Sequence, residues 1–422
     1  MEYLEIEGGK PLRGSVNISG AKNAAFPILS AALLMKGKMH IKNVPQILDV
    51  QHFLEILKEI GVYVERTDSG VILDTRGDIS SKIKQSETHS LRGTQTLFGA
   101  LIARNGKAFL PSLGGCNIGS RPIDLHIKGL RQLGANVDWS EGYLNGSADK
   151  LKGNSVYLDF PSVGATENLI IASVFAKGDT VIENGAREPE IRNLIDFLNK
   201  AGANIKMNGS GIIRIKGVKE LSPVDFEIMP DRIEASTYLI MGAITGGDLA
   251  VNGVNVRDFE PVVMKLKEAG AIVDVKDNGS TVHISANDRL NAVDIKTLPY
   301  PGFPTDAQPQ MMALLSISKG SSVITETIFE NRFKAAKELR KMGADIKIEN
   351  NMAFIKGVEK LQGATVEAGD LRGGAALITA GLAASGTTKL LNVFHVDRGY
   401  EHIEKKLQLL GGRVQRKTKN EI

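Results

Sequence analysis

The sequence predicts an α/β protein built from six copies of one helix–strand–helix–strand–strand unit, grouped as two closed domains of three copies each. Three observations lead there: two series of glycines at near-constant intervals, helical spacing of apolar residues before one series, and period-two stretches after it. The chain has 422 residues, which is long for one hydrophobic core and comfortable for two domains of about 200 residues.

Six segments end in a similar phrase: EIGV, QLGA, KAGA, EAGA, KMGA and LLGG. Their glycines are Gly61, Gly134, Gly202, Gly270, Gly343 and Gly411, at intervals of 73, 68, 68, 73 and 68 residues. Each sits where a helix C-cap glycine belongs, because the left-handed conformation costs glycine no Cβ clash. A second series, Gly37, Gly106, Gly178, Gly247, Gly320 and Gly386, precedes the first by 23 to 28 residues.

Unit one has AAFPILSAALLM as its longer helix, KMHIKNV as a strand, and a shorter helix through Val50, Phe53, Leu54 and Leu57. Unit two places Ile123, Ile127 and Leu130 on one helical face. Unit three has the strand DTVIEN, a helix through Ile191, Leu194, Ile195 and Leu198, and NIKMNGSGIIRIKG as two short strands. STYLIMGAIT is the longer helix of unit four; Gly320 and Gly343 mark unit five; Ile403, Leu407 and Leu410 mark the last short helix. An open solenoid is the alternative, but units of that kind run to about 20–45 residues and no polar capping repeat is visible. The junction between the two triplets falls near 227–231, where EIMPD breaks the pattern.

Composition narrows the function. Apolar residues make up 42% and charged residues 24%, as in ordinary globular proteins, so disorder is excluded. A net charge of +4 is too slight at this length to make nucleic acid or an anionic membrane the main partner. One cysteine, Cys116, rules out an intrachain disulfide and suits a reducing compartment. The start MEYLEIEGGK has no apolar stretch of a secretory signal, and residues 169–176 are the longest apolar run noted, far short of a membrane span. The expectation is a soluble cytoplasmic protein.

The repeat then shows what stands at equivalent positions. Counting back 14 or 15 residues from the second glycine series reaches the start of each longer helix. There stand Lys22 with Asn23, Arg92, the stretch Ser162, Val163 and Gly164, Arg232, Asp306 and Arg372. Helix starts offer unpaired N–H groups to anions, and a cation there is unfavourable by about 0.3–1 kcal/mol. Cations at four of six such places break a stability rule, which marks them as candidate site residues. Just before the shorter helices lie Arg121, Arg187, Arg257, Arg332 and Arg398. Pairing with neighbouring acids, such as Glu188, Asp258 and Glu330, is an equal reading for three of them. The combined pattern predicts a ligand with several phosphates or carboxylates, held by helix starts and cations of both domains.

Cys116 lies in GGCNIGSRP, residues 114–122. An inert buried thiol is the commoner fate of a lone cysteine. Glycines on both sides instead predict a mobile exposed loop, and Arg121 favours the thiolate. Phosphate-loop, dinucleotide, zinc and serine-hydrolase motifs are missing, so neither metal nor cofactor is expected.

Eight motifs in order carry a family resemblance: SGAKNA at 19–24, LRGTQ at 91–95, GGCNIGSRPIDLH at 114–126, SVGATEN at 162–168, PTDAQPQ at 304–310, FENRF at 329–333, DLRGGAA at 370–376 and DRGYEHI at 397–403. In these the chain resembles the enolpyruvyl transferases over essentially its whole length, and among them the UDP-N-acetylglucosamine enolpyruvyl transferases of bacterial peptidoglycan synthesis. The resemblance implies an inside-out α/β barrel pair of six βαβαββ units. It implies domains of residues 22–230 and of 1–21 plus 231–422. The implied reaction moves the enolpyruvyl group of phosphoenolpyruvate to the 3′-hydroxyl of UDP-N-acetylglucosamine and releases phosphate, with small-molecule partners only.

By resemblance Lys22, Asn23, Arg121 and Arg398 bind phosphoenolpyruvate. Arg92, Arg121, Pro122, Ile123, Asp124, Leu125, Ser162, Val163, Gly164 and Ile328 contact the sugar nucleotide. Asp306 takes the hydroxyl proton, Cys116 is the loop thiol that acts as acid or aids product release, and Arg332, Asp370 and Arg372 support the closed state. Phe160 stands where some members carry a basic residue. The cysteine implies covalent inactivation by the epoxide fosfomycin. The sister enzyme acting on shikimate 3-phosphate shares the fold and cations but lacks the cysteine loop. A non-catalytic sugar-nucleotide sensor is the alternative from another class.

Overall fold

A computed structural model of the chain describes residues 2–84, 92–111 and 123–418. The described residues divide into two compact units, one of residues 2–19 and 230–418, the other of residues 20–84, 92–111 and 123–229. Each has its own hydrophobic core.

The third repeat shows the plan. A short strand, Ser155–Tyr157, leads into the helix Val163–Ser173 and the strand Asp179–Glu183. The helix Pro189–Lys200 follows, then a hairpin of Asn204–Met207 and Ile213–Lys216. Asp179–Glu183 runs parallel to the leading strand and antiparallel to Ile213–Lys216. Five of the six sheets have this four-strand order, and the sheet of the second repeat keeps three strands of it. The leading strand is the part the sequence pattern misses. At two to five residues it is too short to show alternation, as with Ile295–Lys296 and Phe226–Glu227.

Two leading strands and one hairpin strand come from unexpected places. Phe226–Glu227 pairs in parallel with Lys38–Lys42, so the end of the 20–229 unit completes its first sheet. Arg13–Asn17 does the same for Asp248–Asn252. In the second repeat the leading strand shrinks to one bridge, Lys82 to Phe109, and the sheet keeps three strands. The last repeat departs from the expected hairpin. Only Arg413–Thr418 follows Gly411, and Glu2–Glu7 supplies its missing mate, antiparallel to both Thr387–Leu391 and Arg413–Thr418.

The longer helices occupy the middle. Lys22–Ala31, Gln95–Asn105 and Val163–Ser173 pack against one another in one unit, and Arg232–Ile244, Gln308–Leu315 and Leu371–Ala383 do so in the other. Every residue of Arg232–Ile244 and of Gln308–Leu315 is buried. Being surrounded, these helices are apolar or small on all sides rather than along one stripe. The fold is inside-out in this sense, with helices central. The implied barrel is not a hydrogen-bonded one, because the described strands form six separate sheets.

All six glycines of the capping series have positive φ, from 81° at Gly411 to 108° at Gly202. The second series splits. Gly106, Gly178, Gly320 and Gly386 have positive φ, whereas Gly37 and Gly247 are glycine for lack of room. A Cβ at Gly247 would lie 2.3 Å from the Leu12 carbonyl oxygen, and one at Gly37 would lie 2.3 Å from the Pro223 ring. No helix among the described residues is long and apolar enough to cross a membrane.

Candidate active site

The repeat register places Lys22, Ser162, Asp306 and Arg372 at or beside helix starts, and each unit builds its own constellation. In the 230–418 unit, Asp306 sits in the helical turn Thr305–Ala307 that leads into Gln308–Leu315. Its Oδ1 accepts from Arg332 Nη2 at 2.6 Å and its Oδ2 from Arg372 Nη2 at 3.2 Å. The two guanidinium side chains are buried, at 2% and 4% exposure, while that of Asp306 keeps 25%. A carboxylate on a buried cationic floor is thus presented outward. Arg332 Nε also donates to the Thr305 carbonyl at 3.1 Å, which fixes the turn from below.

Arg372 opens the helix Leu371–Ala383, the end where the macrodipole disfavours a cation. Asp370 caps that helix through the N–H groups of Arg372 and Gly373 and places a carboxylate at the positive end. Burial opposes the Arg372 charge, and Asp306 and then Tyr400 raise it, so the guanidinium stays protonated.

Ile328 is held by a residue the sequence reading overlooked. Glu326, buried, accepts at Oε1 from the Ile328 N–H (2.8 Å) and from Thr297 Oγ1 (2.8 Å), and at Oε2 from Thr305 Oγ1 (2.9 Å). One carboxylate therefore ties the turn bearing Asp306 to the segment bearing Ile328. Arg398 caps the C-terminal end of a helical turn, Phe394–Asp397, five residues before the helix Ile403–Leu409 rather than directly against it.

In the 20–229 unit, Lys22 is the first residue of Lys22–Ala31, with Asn23 half-buried beside it. The Lys22 ammonium lies 2.5 Å from Asp49 Oδ2, in the first turn of Leu48–Glu59. Asp49 suits a helix start, so the second helix end compensates the cation that the first disfavours.

Ser162 caps Val163–Ser173, its Oγ accepting from the Ala165 N–H, and Gly164 follows on the first turn. Beneath Gly164 lies His126: a Cβ there would stand 3.4 Å from the imidazole Cε1. Asn168 Oδ1 accepts from the Gly99 N–H at 2.7 Å, which turns its Nδ2 toward His126 Nδ1 at 3.1 Å. Nδ1 is then an acceptor and the ring proton sits on Nε2. Burial lowers the His126 pKa to about 4, which keeps the ring neutral. Ile123 precedes the helix Asp124–Gln132, with Asp124 in its first turn and Leu125 half-buried. His126 so joins the 123–125 and 162–164 stretches. Phe160 is exposed.

A family profile described as EPSP synthase (3-phosphoshikimate 1-carboxyvinyltransferase) matches residues 6–407. A UDP-N-acetylglucosamine 1-carboxyvinyltransferase 2 of Carboxydothermus hydrogenoformans is 49% identical over 416 residues, 99% of each chain. The chain belongs to the UDP-N-acetylglucosamine 1-carboxyvinyltransferase family. Among solved structures, the enolpyruvyl transferase NikO from Streptomyces tendae matches with a TM-score of 0.89 at 24% identity, over 98% of each chain. EPSP synthase from Acinetobacter baumannii matches with a TM-score of 0.78 at 19% identity, covering 99% of this chain and all of that one. Both carry the enolpyruvyl transferase fold described above.

Of the residues the sequence reading singled out for this family, Cys116, Arg121 and Pro122 lie outside the described residues, as does the side chain of Arg92. The structure joins Asp306 with Arg332 and Arg372, and the 123–125 stretch with 162–164. It also adds buried residues to which the sequence reading gave no site role. Asp49, Glu326 and Tyr400 are three; Glu167, Glu188 and Glu190 are another set. Burial and then the charges of Glu190 and Glu188 raise the Glu167 pKa well above the usual carboxylate range. Two of these buried residues stood inside quoted motifs, Tyr400 in DRGYEHI and Glu167 in SVGATEN.

Proposed function

We propose that this chain transfers the enolpyruvyl group of phosphoenolpyruvate to the 3′-hydroxyl of UDP-N-acetylglucosamine, releasing phosphate. The observation that carries this reading is the 49% identity to a UDP-N-acetylglucosamine 1-carboxyvinyltransferase along 99% of both chains. Lys22, Asn23, Arg121 and Arg398 bind phosphoenolpyruvate, whose phosphate and carboxylate each gain about 1.5–3 kcal/mol from a charge-assisted hydrogen bond. Asn23 orients the tetrahedral intermediate. Arg92, the 121–125 stretch, the Ser162 helix start and Ile328 hold the sugar nucleotide.

In the first step the 3′-oxygen bonds to C2 of phosphoenolpyruvate while its proton passes to Asp306, and the methylene carbon takes a proton from an acid, the role given to Cys116. In the second step the methyl group returns a proton to the conjugate base of that acid, the C–H electron pair restores the double bond, and the C2–O bond breaks with its electrons leaving on inorganic phosphate. The partners are small molecules, and the site of action is the cytoplasm.

Mixing the purified chain with both substrates tests the reading. Stoichiometric phosphate release and a product heavier than UDP-N-acetylglucosamine by one enolpyruvyl group are expected. Turnover with shikimate 3-phosphate in place of the sugar nucleotide, and none with the sugar nucleotide, would overturn it.

A further inference from the structure

We infer that Tyr400 is a positioning residue that sets the orientation of Asp306 by holding Arg372. The inference rests on the functional reading above, in which Asp306 receives the acceptor's proton. The Tyr400 side chain is buried and its hydroxyl meets three groups: Thr237 Oγ1 at 2.8 Å, Gln310 Nε2 at 3.2 Å and Arg372 Nη1 at 3.3 Å. Counting protons gives each bond its direction. The Thr237 hydroxyl spends its proton on the Ile233 carbonyl, at 2.8 Å, and accepts from Gln310 Nε2 at 2.9 Å. The Thr237–Tyr400 bond must therefore be donated by Tyr400, because a hydroxyl has one proton and two acceptor positions. That leaves the two phenol lone pairs for Gln310 Nε2 and Arg372 Nη1, so the hydroxyl is saturated.

A one-way chain results. Asp306 accepts from Arg372 Nη2, Arg372 Nη1 donates to Tyr400, Tyr400 donates to Thr237, and Thr237 donates to backbone. The groups that meet at the phenol come from all three central helices: Thr237 on Arg232–Ile244, Gln310 on Gln308–Leu315 and Arg372 on Leu371–Ala383. The Arg372 guanidinium also lies 5.6 Å from the centre of the Tyr400 ring. Arginine is a planar fork with fixed N–H directions, so anchoring Nη1 from the protein side fixes where Nη2 points. Without the phenol oxygen, Nη1 loses its buried acceptor and the fork is free to rotate away from Asp306.

Kinetics of Tyr400→Phe, Arg372→Lys and the double variant test this. Tyr400→Phe is expected to lower kcat about 10–100-fold, the cost of misplacing a reacting group by less than about 1 Å, with KM for phosphoenolpyruvate within about twofold of wild type. In the Arg372→Lys background it is expected to cost less than about twofold more, since the residue it serves is already altered. A normal kcat in the single variant, or a full multiplicative loss in the double, overturns the proposal. If Tyr400→Phe does not fold, Thr237→Val takes its place in the same cycle, with the same two outcomes. Failure of the wild-type chain to turn over would count against the functional reading instead. The cycle would then be read from urea unfolding, where zero coupling between positions 400 and 372 overturns the positioning claim.

Discussion

Lys22 and Asp49 meet at 2.5 Å across the starts of two helices, and both side chains are nearly out of solvent, at 12% and 4% exposure. The pair explains how an ammonium group is kept at a helix start that disfavours it. Asp49 is the acid seated on that ammonium, and taking away one member of a nearly buried ion pair costs about 3–5 kcal/mol. Asp49→Asn is therefore expected to lower the unfolding free energy of the chain by at least about 2 kcal/mol, read from the urea midpoint at constant m. Lys22→Ala is expected to abolish phosphoenolpyruvate turnover while the chain stays folded; near-normal turnover would remove Lys22 from the site.

Asp306 makes a contrasting case, since its carboxylate is the exposed end of a buried cationic pair. Asp306→Asn keeps the size and one acceptor but cannot take up a proton. A fall in kcat of about 10²–10⁴-fold is expected, with binding of the sugar nucleotide within about tenfold of wild type by calorimetry. A kcat within about twofold of wild type would exclude Asp306 as the base.

Glu167 carries a pH prediction. Its folded pKa lies above its unfolded value, so the stability it contributes is full below the unfolded pKa, near 4.5, and is lost as pH rises toward the folded pKa. Glu167→Gln keeps the shape and removes the ionisation. Tm of the variant should equal that of wild type near pH 4 and exceed it by roughly 2–4 °C or more near pH 8. Equal Tm values at both pH values would show that Glu167 ionises at no cost.

Glu234 and Lys406 anchor the stretch where the chain passes between the two units. Lys406 Nζ donates to Glu234 Oε1 at 2.7 Å and to Ser19 Oγ at 2.8 Å, while Glu234 Oε2 accepts from the Ser19 N–H at 2.8 Å. Burial raises the Glu234 pKa, and Lys406 is the main group opposing that shift. Lys406→Met should destabilise by about 3 kcal/mol, a Tm fall of roughly 6–12 °C, because it strands Glu234. Glu234→Gln with Lys406→Met should recover part of that loss.

Cys116 offers a covalent test. Prolonged exposure to fosfomycin should inactivate the chain and add one epoxide mass to the Cys116 peptide, and Cys116→Asp should be insensitive. Full activity with no adduct would refute a reactive thiol.

How much of this was legible beforehand differs by layer. The capping glycines announced the repeats because a left-handed residue at a helix end is a strictly local demand, which Gly61 and Gly202 meet without help from distant chain. Helix starts were equally readable, since Lys22, Ser162, Arg232 and Arg372 all fall where counting placed them. Partners were not. Arg332 has Glu330 two residues away, yet its Nη2 and Nε donate to Asp306 and the Thr305 carbonyl, 26 and 27 residues back. Glu326 and Asp49 gave no sign either, because a buried carboxylate looks like a surface one until the fold shows what surrounds it. Short leading strands were lost for a simpler reason: two residues carry no period.

The pairing of Glu2–Glu7 with Arg413–Thr418 gives the two units different histories during synthesis. The 20–229 stretch is complete when scarcely more than half of the chain has been made, and it can acquire its core while translation continues. Its companion cannot close its last sheet until residues 413–418 emerge, so the first strand to appear spends nearly the whole of translation with its edge open. Nascent-chain proteolysis should accordingly find resistance in two stages, early for the inserted half and late for the half whose sequence flanks it.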